Sequence, residues 1–292
     1  MFTAILIARP GGLEPALAEN LRNAWGGGDV EWLSPDEAAE FSLAERPANL
    51  WDVWRDVQGM SVDLAVQPSD GRRKRMLLAD MDSTMIAQEC IDELAEVAGA
   101  GDHVRAITAR AMNGELDFEA SLLERVALLK GLPEAVVSQV LQNRITYAFG
   151  GRTLVATMRA NGAHTALVSG GFTAFTGPIA AALGFDEHQA NVLCIRNGAL
   201  TGDVERPILG RQAKIDALEQ ITARLGIGPQ DVIAVGDGAN DLGMLGRAGA
   251  GVALHAKPSV AARCDLRINH GDLTALLYLQ GYSRTEFVDA AG

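Results

Sequence analysis

Four short apolar runs, separated by longer stretches with helical periodicity, constrain the fold of this chain more than any other feature. The runs lie at Met76–Ala79, His164–Val168, Val232–Val235 and Gly251–Leu254. Nearly continuous apolar strands are typical of a parallel sheet, because helices cover both of its faces. Lys214 to Leu225 has apolar residues near helical spacing, and Gly226 follows at the C-cap position. We therefore predict an α/β fold with a Rossmann-like, doubly wound parallel sheet.

Acidic residues follow two of the four apolar runs. Asp80 and Asp82 come directly after the first run, and the segment Gly236–Asp241 comes after the third. A single pair of acids at this position is more often a surface turn that caps a helix. Two acidic clusters at the carboxyl edge of one sheet instead indicate a shared ligand site, because ligands bind at that edge.

Two further signals specify the chemistry of this site. Ser169-Gly170-Gly171 follows the second run, and Lys214 opens the amphipathic helix. A carboxylate attacks phosphorus only when both negative charges are screened, and Mg²⁺ with oxygen ligands is the usual means. A hydroxyl, backbone N–H groups and a lysine can hold the non-bridging oxygens. The set fits phosphoryl transfer through an aspartyl-phosphate, with Asp82 spaced to protonate the leaving group.

These residues resemble the motifs of the haloacid dehalogenase-like superfamily. The matching positions are Asp80, Asp82 and Thr84, then Ser169, then Lys214, and finally Gly236, Asp237 and Asp241. The resemblance implies that Asp80 is the nucleophile and that Asp82 is the general acid and base. It also implies that Asp80, the backbone carbonyl of Asp82 and the Asp237 carboxylate bind Mg²⁺, with Asp241 supporting the metal site.

Further blocks are similar to those of the phosphoserine phosphatase family, over about Met76 to Asn269. The blocks are Asp80–Thr84 with Glu89, Ala111–Phe118, Arg125–Leu129, Ser169–Phe172, Gly236–Asp241 and Ala256–Pro258. The resemblance implies that Glu89 meets a substrate ammonium and Arg125 a carboxylate, with Met112 and Phe118 shaping the pocket. The remaining substrate-binding positions that it implies are Ser169, Gly170, Lys214 and Asn240.

Each residue of the implied substrate pocket also has an ordinary structural interpretation. Glu89 fits a first-turn acid that the helix dipole favours, and Arg125 fits a surface ion pair. Met112 and Phe118 fit core positions. By resemblance, we expect a Mg²⁺-dependent hydrolase of O-phospho-L-serine, acting at the last step of L-serine biosynthesis. A phosphotransferase to homoserine or another small alcohol remains open, as does a non-catalytic serine sensor.

Composition excludes several classes of partner. The formal net charge of −12 disfavours nucleic acid and anionic membrane surfaces. No apolar stretch approaches the ~20 residues of a membrane span. The three cysteines show no C-x-x-C pair, and the first residues lack the features of a signal peptide. We therefore expect a cytoplasmic enzyme whose partner is a small-molecule substrate.

The distribution of tryptophan indicates a separate N-terminal module. All four tryptophans lie within the first 54 of the 292 residues. We predict a small α+β module over residues 1–70, for which an ACT-like fold is one option, and a catalytic domain over residues 71–292. A helical cap is expected at about residues 88–148, directly after the first strand, where a lid would exclude water. Serine binding, homodimerisation and simple packing on the core all remain open for the module.

Overall fold

The N-terminal sheet has four antiparallel strands in the order β2-β3-β1-β4. In the computed structural model, which describes residues 1–288, strands and helices alternate here as βαββαβ. They are β1 (Phe2–Ile7), α1 (Pro15–Trp25), β2 (Glu31–Ser34), β3 (Ala38–Leu43), α2 (Leu50–Gln58) and β4 (Asp63–Pro68). Leu21, Phe41 and Leu64 belong to one apolar core that joins these elements. The predicted small α+β module is confirmed, although β3 was not anticipated.

The second sheet has six parallel strands in the order β12-β11-β10-β5-β6-β7. Its strands are β5 (Met76–Ala79), β6 (His164–Phe172), β7 (Glu187–Asn191), β10 (Val232–Gly236), β11 (Ala250–Leu254) and β12 (Leu266–Ile268). The four apolar runs form β5, β6, β10 and β11. The predicted doubly wound α/β fold is therefore confirmed.

Helices cover both faces of the parallel sheet. They are α7 (Gly151–Ala160), α8 (Thr173–Leu183), α9 (Arg211–Leu225), α10 (Leu242–Arg247), α11 (Pro258–Ala261) and α12 (Ala275–Leu279). Successive strand residues point to opposite faces. Leu77 and Val235 accordingly belong to one core, whereas Leu78 and Ala234 belong to another. This double burial explains why the central strands β5 and β10 are apolar throughout.

Four helices lie between β5 and α7 and form the cap. They are α3 (Cys90–Val97), α4 (Gly101–Met112), α5 (Phe118–Ala127) and α6 (Ala135–Asn143). The entering and leaving chains pair with each other through an antiparallel bridge between Ile86 and Tyr147. A hairpin of β8 (Leu193–Arg196) and β9 (Ala199–Val204), which was not predicted, packs on α5. The backbone N–H of Gly131 donates to the Leu200 carbonyl at 2.9 Å.

Polar contacts fix the N-terminal module to the parallel-sheet domain. The buried Asp63 carboxylate of β4 accepts backbone N–H groups from Asn269, His270 and Gly271 at 2.8–3.0 Å. The Arg72 guanidinium pairs with Glu40 of β3 and also donates to the carbonyl that ends α12. The module therefore joins the loop that follows β12 and the C-terminal helix.

None of the helices within residues 1–288 has the length and apolarity that a bilayer crossing requires.

Candidate active site

Asp80 and Lys214 form the buried centre of the site. Asp80 follows β5, and its Oδ1 atom accepts from the Met81 backbone N–H at 2.8 Å and lies 2.6 Å from Lys214 Nζ. The same Nζ donates to Asp241 Oδ1 at 2.6 Å. Burial alone would lower the pKa of Lys214, but Asp241 and Asp80 outweigh it and raise that pKa. The lysine is therefore a permanent cation between two strand-end carboxylates.

Asp237 and Asp241, after β10, have different local roles. Asp241 Oδ2 accepts the backbone N–H groups of Asp237 and Gly238 at 3.1 and 3.0 Å, which fixes the loop. Asp237 Oδ1 accepts weakly from the Thr84 hydroxyl at 3.4 Å. Its Oδ2 is buried without a hydrogen-bond partner among the described residues, and Lys257 Nζ lies 3.8 Å away.

The donor set at this position fits a hard divalent cation. Carboxylate oxygens of Asp80, Asp237 and Asp241 all lie within 4.8 Å of one another. Burial and then the nearby Asp241 carboxylate raise the pKa of Asp237 to about 7. A cation with oxygen ligands relieves this repulsion and satisfies the unpartnered Asp237 oxygen.

Asp82 lies opposite Ser169, the residue near the end of β6. Its Oδ1 accepts from the Cys90 backbone N–H at 2.8 Å, and its Oδ2 accepts from the Ser169 hydroxyl at 3.2 Å. A Cβ atom at Gly171 would lie 2.8 Å from Asp82 Oδ2, so glycine is needed for this approach. Burial raises the pKa of Asp82. A carboxyl group with a raised pKa is suited to donate a proton.

Glu89 and Arg125 bring opposite charges to the cap side of the cavity. Burial, followed by the nearby Asp82 and Asp237, raises the pKa of Glu89 to about 8. The Ser83 hydroxyl donates to Glu89 Oε1 at 2.8 Å. A buried carboxyl surrounded by other acids accommodates a ligand cation, which would restore its ordinary ionisation.

Arg125 is almost fully buried, and neighbouring oxygens orient it. Its Nε donates to the Ser121 carbonyl and its Nη1 to the Thr108 hydroxyl, both at 3.0 Å. Thr108 in turn donates to Asp92 Oδ1 at 2.6 Å. Within residues 1–288, Nη2 has no hydrogen-bond partner, and Arg125 lines the cavity. Arg125 therefore does not form the surface ion pair that was considered as its structural interpretation.

The cavity between cap and sheet is small. Met112 and Phe118 line its cap side, and Gly170 and Asn240 line the opposite side. Its volume is about 30 Å³, enough for one or two water molecules. A Cβ atom at Gly170 would lie 2.5 Å from the Phe118 ring. A larger ligand therefore enters when the cap moves away.

The structure brings nearly all of the predicted site residues to one cavity. Its lining includes Asp80, Asp82, Glu89, Met112, Phe118, Arg125, Ser169, Gly170 and Asn240. Lys214, Asp237 and Asp241 lie behind Asp80. The sequence interpretation missed Asp92, Thr108 and Ser83, which orient Arg125 and Glu89. Ser83 lies within the Asp80–Thr84 block but was given no role there. Asp92 and Thr108 belong to no motif that was used, and only the tertiary contacts reveal their roles.

The chain belongs to the haloacid dehalogenase-like hydrolase family. The model of that family matches residues 77–246, which contain the whole site. Within the family, the chain is 46% identical over 204 residues to the phosphoserine phosphatase of Haemophilus influenzae. That match covers 70% of this chain and 65% of the relative, so the similarity does not extend over the relative's full length.

Two solved structures extend the comparison. A haloacid dehalogenase family hydrolase from Salmonella enterica serovar Typhi superposes with a TM-score of 0.85 at 32% identity, covering 96% of this chain and 98% of that one. The N-terminal module is therefore part of the shared fold. A phospho-aspartyl intermediate analogue of phosphoserine phosphatase matches at 42% identity with a TM-score of 0.68, covering 70% and 98%.

Proposed function

We propose that the protein is a Mg²⁺-dependent phosphatase that hydrolyses O-phospho-L-serine to L-serine and phosphate, the last step of L-serine biosynthesis. The observation that carries this proposal is the shared cavity of the Asp80–Asp82 pair and the Glu89–Arg125 pair. The first pair supplies the chemistry of phosphoryl transfer. The second matches the ammonium and carboxylate of an amino acid, and neither charge is needed for a simple phosphate ester.

Asp80 is the proposed nucleophile. Its Oδ1 is held by Lys214 and the Met81 N–H, which leaves Oδ2 for attack on phosphorus. The attack forms the aspartyl-phosphate and breaks the bond between phosphorus and the serine oxygen. Ser169, the N–H groups of the Gly170 loop and Lys214 stabilise the negative charge on the phosphoryl oxygens.

Asp82 is the proposed general acid and base. In the first step the protonated carboxyl gives its proton to the departing serine oxygen. In the second step the carboxylate removes a proton from water, which attacks phosphorus and releases Asp80 and phosphate. The hydrogen bond from the Cys90 N–H holds the Asp82 side chain in place for both transfers.

Recognition of the amino acid is assigned to the cap. Arg125 Nη2 donates to the carboxylate, Glu89 accepts from the ammonium, and Met112 and Phe118 enclose the carbon chain. Asn240 Oδ1, buried without a partner among the described residues, is a further polar contact for the substrate.

Asp80, Asp237 and the backbone carbonyl of Asp82 are proposed to hold Mg²⁺, while Asp241 positions the loop. When bound, the cation neutralises charge on the phosphoryl group and on the surrounding carboxylates. Asp237 Oδ2 most clearly supports this assignment, since it is buried and accepts no hydrogen bond from residues 1–288.

The proposed organisation has an N-terminal module at residues 1–70, a catalytic domain at residues 71–292 and a cap at about residues 88–148. The βαββαβ order and the antiparallel sheet support an ACT-like module. A cytoplasmic location and a homodimer complete the proposal. The cytoplasm fits the three free cysteines, because thiols remain reduced there.

Phosphate release from L-phosphoserine tests the proposal, measured with Mg²⁺ and with EDTA beside phosphoethanolamine and glycerol phosphate. We expect metal-dependent release with a strong preference for phosphoserine. Phosphoethanolamine lacks the carboxylate that Arg125 would bind, so its KM should be much higher. Asp80→Asn is the inactive control.

Three results would contradict parts of the proposal. Equal turnover of the three esters would remove the Glu89–Arg125 assignment but keep Asp80 and Asp82. Formation of a new phosphate ester from added homoserine or another alcohol, without phosphate release in its absence, would identify a phosphotransferase instead. Residual activity of Asp80→Asn above a few per cent would contradict the nucleophile assignment.

A further inference from the structure

A second cavity lies at the junction of the N-terminal module, the parallel-sheet domain and the cap linker, which is the segment 144–150 between α6 and α7. This junction cleft, of about 460 Å³, is bounded by the loop Ile7–Pro10 after β1, Phe149 of the cap linker, His255 and the segment 270–272. It is separate from the active-site cavity and shares none of its lining residues. Neither the family motifs nor the proposed reaction uses it.

The cleft contains an unpartnered cation. The exposed Arg9 guanidinium has no hydrogen bond or ion pair with any residue from 1 to 288. The two acids of the lining are engaged with their own neighbours: Glu37 accepts from the Ser34 hydroxyl, and Asp272 accepts from the Thr274 N–H and hydroxyl. Of these three charged side chains, Arg9 is therefore the one with no hydrogen bond to residues 1–288.

His270 supplies a second group that lacks a partner. Its backbone N–H is bound by Asp63, which fixes the residue in the loop. Its Nε2 atom is buried, and no partner for it exists in the described part of the chain. Arg9 and His270 both line the junction cleft and also an adjoining cavity of about 250 Å³. A buried ring nitrogen without a partner costs free energy that a bound ligand recovers.

The rest of the lining is apolar. Ile7, Ala8, Pro10 and Ala275 contribute aliphatic surface, and the Phe149 side chain is 86% exposed beside them. A site with convergent polar groups on an apolar wall is typical of small-molecule binding.

We propose that the junction cleft binds a small organic anion, whose carboxylate or phosphate lies between Arg9 and His270 and whose apolar body contacts Phe149. An arginine with free donors suits either anionic group. Glu37 and Asp272 keep their negative charges in the same lining, but neither forms an ion pair with Arg9, so its donors remain available to the ligand.

The position of Phe149 couples this site to the cap. The Phe149 carbonyl accepts from the Leu273 N–H at 3.2 Å, and the Ala148 N–H donates to the Met85 carbonyl at 3.0 Å. The linker that a ligand would contact is therefore the one by which the cap returns to α7. A ligand that prefers one cap position shifts the equilibrium between the positions.

Nuclear magnetic resonance of the histidine side chains tests binding without any need for turnover. Benzoate probes a carboxylate on an apolar body, and inorganic phosphate probes the bare anion. None of the residues that line the active-site cavity is a histidine, so shifts of the His270 and His255 signals report the cleft. We expect saturable shifts with benzoate, and Arg9→Gln should weaken binding by about tenfold or more.

Arg55→Gln is the matched control, since Arg55 lies exposed on α2 outside the cleft and should bind as the wild type does. Saturable shifts with phosphate that also depend on Arg9 would support the site with a phosphate-bearing ligand. Absence of saturable shifts with both probes would overturn the proposal. Binding that is equal in the wild type and Arg9→Gln would do the same.

Hydrogen–deuterium exchange tests the contact with the cap linker. With the bound probe, amides of residues 145–150 should exchange about threefold or more slowly, because the linker opens less often. Arg9→Gln should show no such slowing at the same probe concentration. Unchanged exchange in the wild type under saturation would overturn the contact with Phe149.

Discussion

Arg125 is aimed into the cavity by a chain of hydrogen bonds that begins at Asp92. Asp92 accepts from Thr108, and the Thr108 oxygen accepts from Arg125 Nη1. The Ser121 carbonyl fixes the remaining side of the guanidinium through Nε. A planar fork that is held at two corners loses little further entropy when it binds a carboxylate. Thr108 is thus a positioning residue whose effect is on affinity rather than on chemistry.

Replacing Thr108 by valine tests this positioning role. Thr108→Val keeps the shape and leaves Arg125 Nη1 unpaired, so KM for phosphoserine should rise about five- to tenfold, with kcat nearly unchanged. KM for phosphoethanolamine should not rise, because that ester has no carboxylate. Thr222→Val is the control, since Thr222 is equally buried and only donates within its own helix. Equal increases for both esters would contradict the role.

The raised pKa of Asp237 predicts pH-dependent metal binding. The folded protein holds a proton on this carboxyl below about pH 7, and the cation must displace it. Mg²⁺ affinity should therefore fall about tenfold or more per pH unit below 7 and level off above it. Titration calorimetry from pH 5.5 to 8 measures this slope. Asp216→Asn, exposed on α9, should keep the slope, and a flat profile in the wild type would contradict the prediction.

At the scale of whole elements, the cap closes on the sheet through a contact between Phe118 and Gly170. A methyl group at Gly170 would meet the Phe118 ring at 2.5 Å, whereas Gly177 in α8 has no neighbour closer than 3.6 Å to its added Cβ. The N-terminus of α5 is placed there by Asp117, which accepts from the Ala120 N–H as the helix cap. A single carbon atom added at Gly170 would therefore obstruct closure of the cap.

Gly170→Ala should hinder that closure. We expect kcat/KM for phosphoserine to fall by about 10- to 100-fold, because water exclusion and Arg125 contacts both need the closed cap. Adding Phe118→Ala should restore part of this loss by removing the clash. Gly177→Ala is the matched control and should keep wild-type activity. If the kcat/KM of the double variant does not exceed the value obtained by multiplying the two single-variant effects, the clash with Phe118 is not the cause of the loss in Gly170→Ala.

Elements buried on both faces were predictable, and partly polar strands were not. The runs at β5, β6, β10 and β11 are mostly apolar and were recognised. β7, with the sequence Glu-His-Gln-Ala-Asn, is an edge strand whose pairing decides its conformation. The hairpin of β8 and β9 is stabilised by its contact with α5 across the cap, which no local pattern records.

The residues of the candidate site also divide into those that the sequence pattern predicts and those that depend on tertiary contacts. Asp80, Asp82 and Asp237 follow strands that were recognised, so the carboxyl edge of the sheet was expected to bring them together. Asp92 and Thr108 are 16 residues apart on different helices, and their hydrogen bond depends on how α3 packs on α4. Helix packing of this kind is set by tertiary contacts, so the orientation of Arg125 was not predictable.

At the scale of the molecule, one buried carboxylate joins the module to the catalytic domain. Asp63 is 1% exposed and accepts three backbone N–H groups from residues 269–271, across a sequence separation of more than 200 residues. The cation–π contact of Arg267 with Trp51, at 4.1 Å, adds to the same interface. Three of the four early tryptophans serve the module's core or this interface: Trp25, Trp51 and Trp54.

Asp63→Asn should therefore uncouple the two parts. Asparagine has an NH2 group in place of one carboxylate oxygen, and this donor would face backbone N–H groups that are also donors. The mismatch should lower the free energy of unfolding by about 2–4 kcal/mol. Because the lost contacts lie between the module and the catalytic domain, thermal unfolding followed by tryptophan fluorescence should precede the loss of far-ultraviolet circular dichroism. Asp70→Asn, an exposed acid in the linker after β4, should unfold as the wild type does. Coincident and unshifted transitions in Asp63→Asn would mean that apolar packing, rather than this carboxylate, holds the module in place.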